Sequence, residues 1–174
     1  ATTVEQLAEQ AMNLPTESRA RLADLLVESL DGDKLGPIDQ LWVAEAKRRR
    51  DEVRSGRVET IPGEEALQKV RDIFADEISF HSEALEEYQE ATLYYAERDP
   101  ALAARFVEAV EDAIRRILDA PQRWRVLDDD VRRCLTHVFP YGVLYTIEPE
   151  FILIVAVMHG SREPGYWKRR VATP

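Results

Sequence analysis

The sequence predicts an α+β protein: a helical, partly extended N-terminal segment that needs a partner surface, followed by a C-terminal domain of order β-α-α-β-β-β with a mainly antiparallel sheet. Three observations predict it. Phe151 to Met158 is an unbroken apolar run, too short to cross a bilayer and rich in Ile and Val, which reads as a strand buried on both faces. Upstream, Leu102, Phe106, Val110, Ile114, Ile117 and Leu118 recur at helical spacing and form a core stripe. The first seventy-five or so residues instead carry separate amphipathic helices with few aromatics. Such a segment buries too little to be stable alone, so its stripes need a partner surface.

In chain order, Thr3 and Gln6 have capping-box spacing and open a short helix to about Asn13. Pro15-Thr16-Glu17 opens a second, with Leu22, Leu25, Leu26 and Leu30 on one stripe and Asp31-Gly32-Asp33 as its end. A third spans about Asp39 to Ser55, stopped by Gly56. Its apolar face is thin, comprising Leu41, Trp42, Ala46 and Val53. Lys47-Arg48-Arg49-Arg50 forms its polar face, balanced by Glu45, Asp51 and Glu52 at pairing distance, and reads as solvated or as steering toward a partner. Val58 to Ile61 is extended, Pro62-Gly63 breaks it, and Glu64 to Phe74 is a helix presenting Ala66, Leu67, Val70 and Phe74. The boundary falls near Ala75-Asp76, giving domains 1–75 and 76–174. Ile78-Ser79-Phe80 is a short strand, Ser82 caps a helix carrying Leu85, Tyr88, Thr92 and Tyr95, and Pro100 opens the core helix that Pro121 ends. After Trp124 to Leu127 and an acidic turn at Asp128 to Asp130 come three strands, the last two joined as a hairpin by Glu148-Pro149-Glu150.

A net charge of −10 argues against the whole chain being a free nucleic-acid binder, because phosphate rewards a positive surface. Acids dominate from Glu77 to Asp119, and the balance turns slightly basic after Pro121. Arg132, Arg133, His137, His159, Arg162 and Tyr166 sit at strand ends, where buried strands deliver polar groups to one rim. No apolar run approaches a membrane span and no signal-peptide pattern opens the sequence, so no membrane and a cytoplasmic location are expected. Cys134, the single cysteine, reads as packing. His81, His137 and His159 are too scattered for a metal site, and no cofactor is expected.

Ile78 to Trp167 resembles the RelE/ParE superfamily of bacterial toxins. The resemblance rests on F-H-S-E-A-L-E-E-Y, the V-R-R strand, F-P-Y-G-V-L-Y, and A-V-M-H with R-E-P-G-Y-W. The N-terminal half resembles the small addiction-module antitoxins encoded beside such toxins. The carriers are L-P-T-E-S-R-A-R-L-A-D-L-L-V-E-S-L, Trp42 with the basic run, and S-G-R-V-E-T-I-P-G-E-E-A-L.

The resemblance implies a toxin–antitoxin module in one chain, the halves meeting within one molecule or between copies. The toxin half is then either a metal-independent endoribonuclease cutting messenger RNA on the ribosome or an inhibitor of DNA gyrase that cuts nothing. For cleavage the candidates are His159 and Tyr166 for proton transfer, with Arg133 and Arg162 stabilising charge. Gly142 departs from the ribonucleases, which carry a basic residue at that position. An antitoxin that wraps its toxin implies an interface at Val58, Ile61, Leu67, Val70 and Phe74, with Val58 to Ile61 as an edge strand or clamp. Glu59, Glu64 and Glu65 then either face the basic rim or stand as solvated loop charges. Operator DNA is an alternative partner for Lys47 to Arg50, disfavoured by the neighbouring acids and by the lack of an opening strand, and a second copy of the chain is a further alternative. The competing expectation is a non-toxic protein of this fold, or an enzyme with an N-terminal oligomerising arm.

Overall fold

The computed structural model describes residues 1–29, 35–67 and 77–168. The chain forms two compact units, residues 1–35 and 36–174. In the first, α1 (Val4–Met12) starts with a reciprocal capping box: the Thr3 amide donates to Gln6 Oε1 at 3.0 Å and the Gln6 amide to Thr3 Oγ1 at 3.2 Å. α2 (Thr16–Ser29) follows. No residue of α1 is buried, and Val4, Leu7, Met12, Leu25 and Leu26 remain exposed.

The second unit has three layers: one helix, a sheet, then two helices. α3 (Pro37–Arg54) has proline in its first turn, where a missing amide costs nothing. After it come β1 (Ile61–Pro62), α4 (Gly63–Ala66), β2 (Ile78–Phe80), α5 (Ser82–Ala96) and α6 (Pro100–Asp119). The remaining strands are β3 (Arg125–Asp128), β4 (Val131–Leu135), β5 (Tyr141–Ile147) and β6 (Ile152–His159). The sheet order is β1-β2-β6-β5-β4-β3; β2 pairs parallel with β6 and the other pairs are antiparallel.

Alternation along the strands divides the core in two. Phe80, Cys134, Tyr141, Val143, Tyr145, Ile152, Ile154 and Val157 pack with α5 and α6. Val131, Leu144, Leu153, Val155, Ala156 and Met158 pack against Trp42 and Ala46 of α3. Both faces of β6 are therefore covered, as its unbroken apolar run requires. The register shifts where Leu144 faces Ala156 and Tyr145 faces Ile154, which leaves Val155 as an extra residue on β6. This bulge sends Val155 and Ala156 to the same side, under α3.

The structure corrects five local readings. Arg125–Asp128 is a true edge strand, so four strands follow the helices; its register against β4 is irregular and its burial slight, which hid it. The cap of α5 is His81, whose Nδ1 accepts the Glu83 amide, rather than Ser82. The helix expected over Glu64 to Phe74 stops at Ala66, because Leu67 turns extended and sinks into the core at 2% exposure. Beyond it Val70, Phe74 and the expected boundary at Ala75-Asp76 lie outside the described residues. Strand pairing begins at Ile61 rather than Val58, against Phe80. Finally, Arg49 and Arg50 are 3% and 7% exposed, so of the two readings of the α3 polar face the solvated one falls and the one turned toward a partner surface stands.

Candidate functional site

α3 meets the sheet through one central pair. Arg49 donates to the two Glu87 oxygens at 2.7 and 3.1 Å and to the Val155 carbonyl at 2.9 Å. Glu87 Oε1 also accepts the Val157 amide at 3.2 Å. The need for these bonds follows from the topology. β2 ends at Phe80, the His81 amide takes the Ile154 carbonyl, and beyond that point the edge of β6 has no strand beside it. The ion pair satisfies the two main-chain groups the bulge leaves there.

Around this pair lies a charged frame. Lys47 pairs with Asp128, Arg50 with Asp129 at 2.9 Å and also with Asp130, and Arg54 with Glu148 at 3.0 Å. Glu83 accepts from Arg48 at 2.9 Å and from Arg49 at 3.1 Å. His81 Nε2 lies 2.9 Å from Glu52; because Nδ1 accepts an amide proton, Nε2 is the donor. Toward its N-terminus α3 contributes Asp39, which accepts from Arg133 at 3.0 Å, and Trp42, whose indole donates to the Arg162 carbonyl at 2.7 Å.

The titration behaviour follows this geometry. Burial pushes Glu87 up to about 7, against the hydrogen bonds of Arg49 and Val157. Burial also raises Glu45, but Arg48 and Arg49 outweigh it and hold the carboxyl at about 2. The hydrogen bond from His81 lowers Glu52, and that from Lys47 lowers Asp128. Asp130 is raised by burial but ends below its ordinary value beside Arg54 and Arg50.

A second feature opens on the rim. Tyr94, Tyr95, Tyr141, His159, Arg162 and Tyr166 line a cleft of about 590 Å³, bordered by Ile38 of α3. The Tyr141 and Tyr166 hydroxyls lie 3.1 Å apart, and Arg98 stacks on Tyr94 at 3.4 Å. The His159 ring is 5.0 Å from Tyr141 and 5.8 Å from Tyr166. His159 Nδ1 accepts the Ser161 amide at 3.1 Å. Burial, then Arg162, lowers its pKa, so the ring is neutral at neutral pH with its proton on Nε2.

Of the four residues expected to act together, His159, Arg162 and Tyr166 share this cleft. Arg133 does not. It pairs in register with Leu144, so its side chain lies on the opposite face, beneath α3 at 7% exposure. Gly142 makes that position possible: a Cβ there would lie 2.9 Å from Arg133 Cδ. The position read as lacking a basic residue is the floor on which Arg133 rests. Of the expected interface residues, Val58 and Ile61 are half-buried and Leu67 is buried. Glu59, Glu64 and Glu65 are exposed, so the expected acidic clamp is not what meets the sheet domain. The polarity is reversed: a basic helix meets an acidic frame. Arg49, Arg50, Asp39 and Glu87 were missed as contacts. The signal was present in a basic run at helical spacing from Trp42, facing a helix with unbalanced glutamates.

Among the described residues no three His, Cys, Asp or Glu side chains group as a metal site requires, and no helix is long and apolar enough to cross a membrane.

Residues 78–164, half of the sequence, match the family described as the ParE toxin of the type II toxin–antitoxin system parDE. The chain belongs to the ParE toxin family. Residues 13–66 match a second family, described as a putative addiction module component. The two together make this chain a toxin–antitoxin module of ParDE type, with α3 and β1 in its antitoxin part and β2 to β6 in its ParE part. Among solved structures it is similar to the chromosomal ParDE TA system from P. aeruginosa, at 11% identity and a TM-score of 0.43, over 48% of this chain and 94% of that one. No curated protein matches it.

Proposed function

We propose that residues 1–75 are an antitoxin that neutralises the toxin of residues 76–174 by closing one face of its sheet. One observation carries this reading: Trp42, Ala46 and Arg49 of α3 cover the apolar face of β4 to β6, and Arg49 joins the buried Glu87 there. Covering the toxin's basic groups plays a smaller part, since Asp39 caps Arg133 while Arg162 stays exposed. We further propose that the toxin acts by binding a protein target, DNA gyrase being the one the family suggests, and not by cutting RNA. Cleavage needs a base for the 2′-hydroxyl and cations at the phosphate. The only unprotonated nitrogen of His159 is held by Ser161, burial keeps the Tyr141 phenol protonated, and Arg133 lies on the other face.

The test is to express residues 76–174 alone, and then with residues 1–75 supplied in trans. Growth arrest that the second piece relieves, with messenger RNA intact and gyrase supercoiling blocked, is the expected result. Arrest with cleaved messenger RNA, lost on Tyr166→Phe, would return the chain to the ribonucleases. No arrest would remove the toxin reading.

A further inference from the structure

Resting on that reading, we infer that the groove beneath α3 is the surface with which the toxin part engages its target, and that the target presents a basic amphipathic protein helix, which α3 imitates. The groove makes two demands on any occupant. Its floor is a contiguous apolar patch of Val131, Leu144, Leu153, Val155, Ala156 and Met158. Once α3 leaves, that patch faces water, and exposed patches of this kind mark interaction sites. Its walls are acidic: Glu83 and Glu87 on α5, Asp128 at the end of β3 with Asp129 and Asp130 after it, and Glu148 after β5, with Arg133 as a cation beneath α3. Glu87 adds a more specific demand. It stands beside the Val155 carbonyl, and a guanidinium satisfies both at once, as Arg49 does. Nucleic acid fits neither the apolar floor nor the acidic walls. A helix does if it carries an aromatic, a small residue and an arginine at the spacing of Trp42, Ala46 and Arg49, with further cations beside them. Inhibition is then competition for one groove.

The test uses the full chain opened by Trp42→Ala and Arg49→Ala. A synthetic peptide of residues 37–54 is titrated against the opened and intact chains, beside a peptide with its Lys and Arg changed to Glu and a single-stranded RNA. The basic peptide is expected to bind the opened chain only, about tenfold or more weaker after Glu87→Gln, and weaker with rising salt. No binding of the peptide, equal binding of the charge-reversed one, or preference for RNA overturns the inference. So does an opened chain that sediments as a dimer the peptide cannot dissociate, because a second copy then fills the groove. In cells, Asp128→Asn, Asp129→Asn and Asp130→Asn together, at a soluble level and circular dichroism equal to those of the opened chain, are expected to abolish its growth arrest. Arrest that persists with them refutes the target surface while leaving the toxin reading intact. An opened chain that binds the peptide and yet never arrests growth refutes the toxin reading, and with it the part of the inference that concerns the target.

Discussion

Replacing Arg49 with alanine isolates the central contact. The change removes both bonds to Glu87 and the bond to the Val155 carbonyl. It leaves a carboxylate that is 4% exposed with only the Val157 amide. Breaking a buried ion pair from one side costs about 3–5 kcal/mol. Glu87 has one escape, which is to stay protonated. Burial holds its folded value at about 7, so in the wild type it is neutral at pH 5 and ionises against Arg49 as pH rises past 7. A carboxyl raised in the folded state favours folding below its unfolded pKa, and that advantage is lost as pH rises through its folded value. Without Arg49 the carboxyl must remain neutral to higher pH, which costs about 1.4 kcal/mol more than in the wild type for each pH unit above 7. Urea unfolding of wild type and Arg49→Ala at pH 5 and pH 9 measures it. The expected destabilisation is about 1–3 kcal/mol at pH 5, from the lost hydrogen bonds of Arg49, and about 2–3 kcal/mol more at pH 9. A loss equal at both pH values would mean that Glu87 is not buried against Arg49 and the reasoning is wrong.

Trp42→Ala removes a fully buried indole and its bond to Arg162, so a loss of about 3–5 kcal/mol is expected in denaturant unfolding, with faster amide exchange at Ser161 to Tyr166. Gly142→Ala drives a Cβ to 2.9 Å from Arg133 Cδ; the fold is expected to lose about 1–2 kcal/mol in a thermal melt, and substitution of Arg133 by alanine to relieve most of that strain. In acid, Glu45, Glu52, Asp128 and Asp130 all sit below their ordinary values. Their contribution is present above the unfolded values near 4 and is lost as pH falls toward 2, so near-ultraviolet circular dichroism is expected to show unfolding in that window, with salt narrowing the difference.

Much of the fold was legible because single segments carry their own signals. The run Phe151 to Met158 could only be a strand covered on both faces, and the α6 stripe only a core helix. The thin apolar face of α3, centred on Trp42, pointed to a helix that needs another surface. What was not legible depends on strand parity and on edges. Arg133 and His159 both look like rim residues, yet register puts one under α3 and the other in the cleft. The bulge at Val155 leaves no periodic trace in an all-apolar run, so the need for Arg49 and Glu87 beside it was hidden. The basic run of α3 looked balanced by Glu45, Asp51 and Glu52 in its own helix. Those acids do engage it, but Arg49, Arg50 and Arg54 reach past them to the sheet domain.

The most direct measurement compares growth of cells expressing the intact chain with growth of cells expressing the Trp42→Ala, Arg49→Ala chain at equal soluble level. If α3 is what silences the ParE part, the intact chain is harmless and the altered one stops division. An altered chain that stays folded, shows its α3 released by rapid amide exchange, and still leaves growth untouched would contradict it.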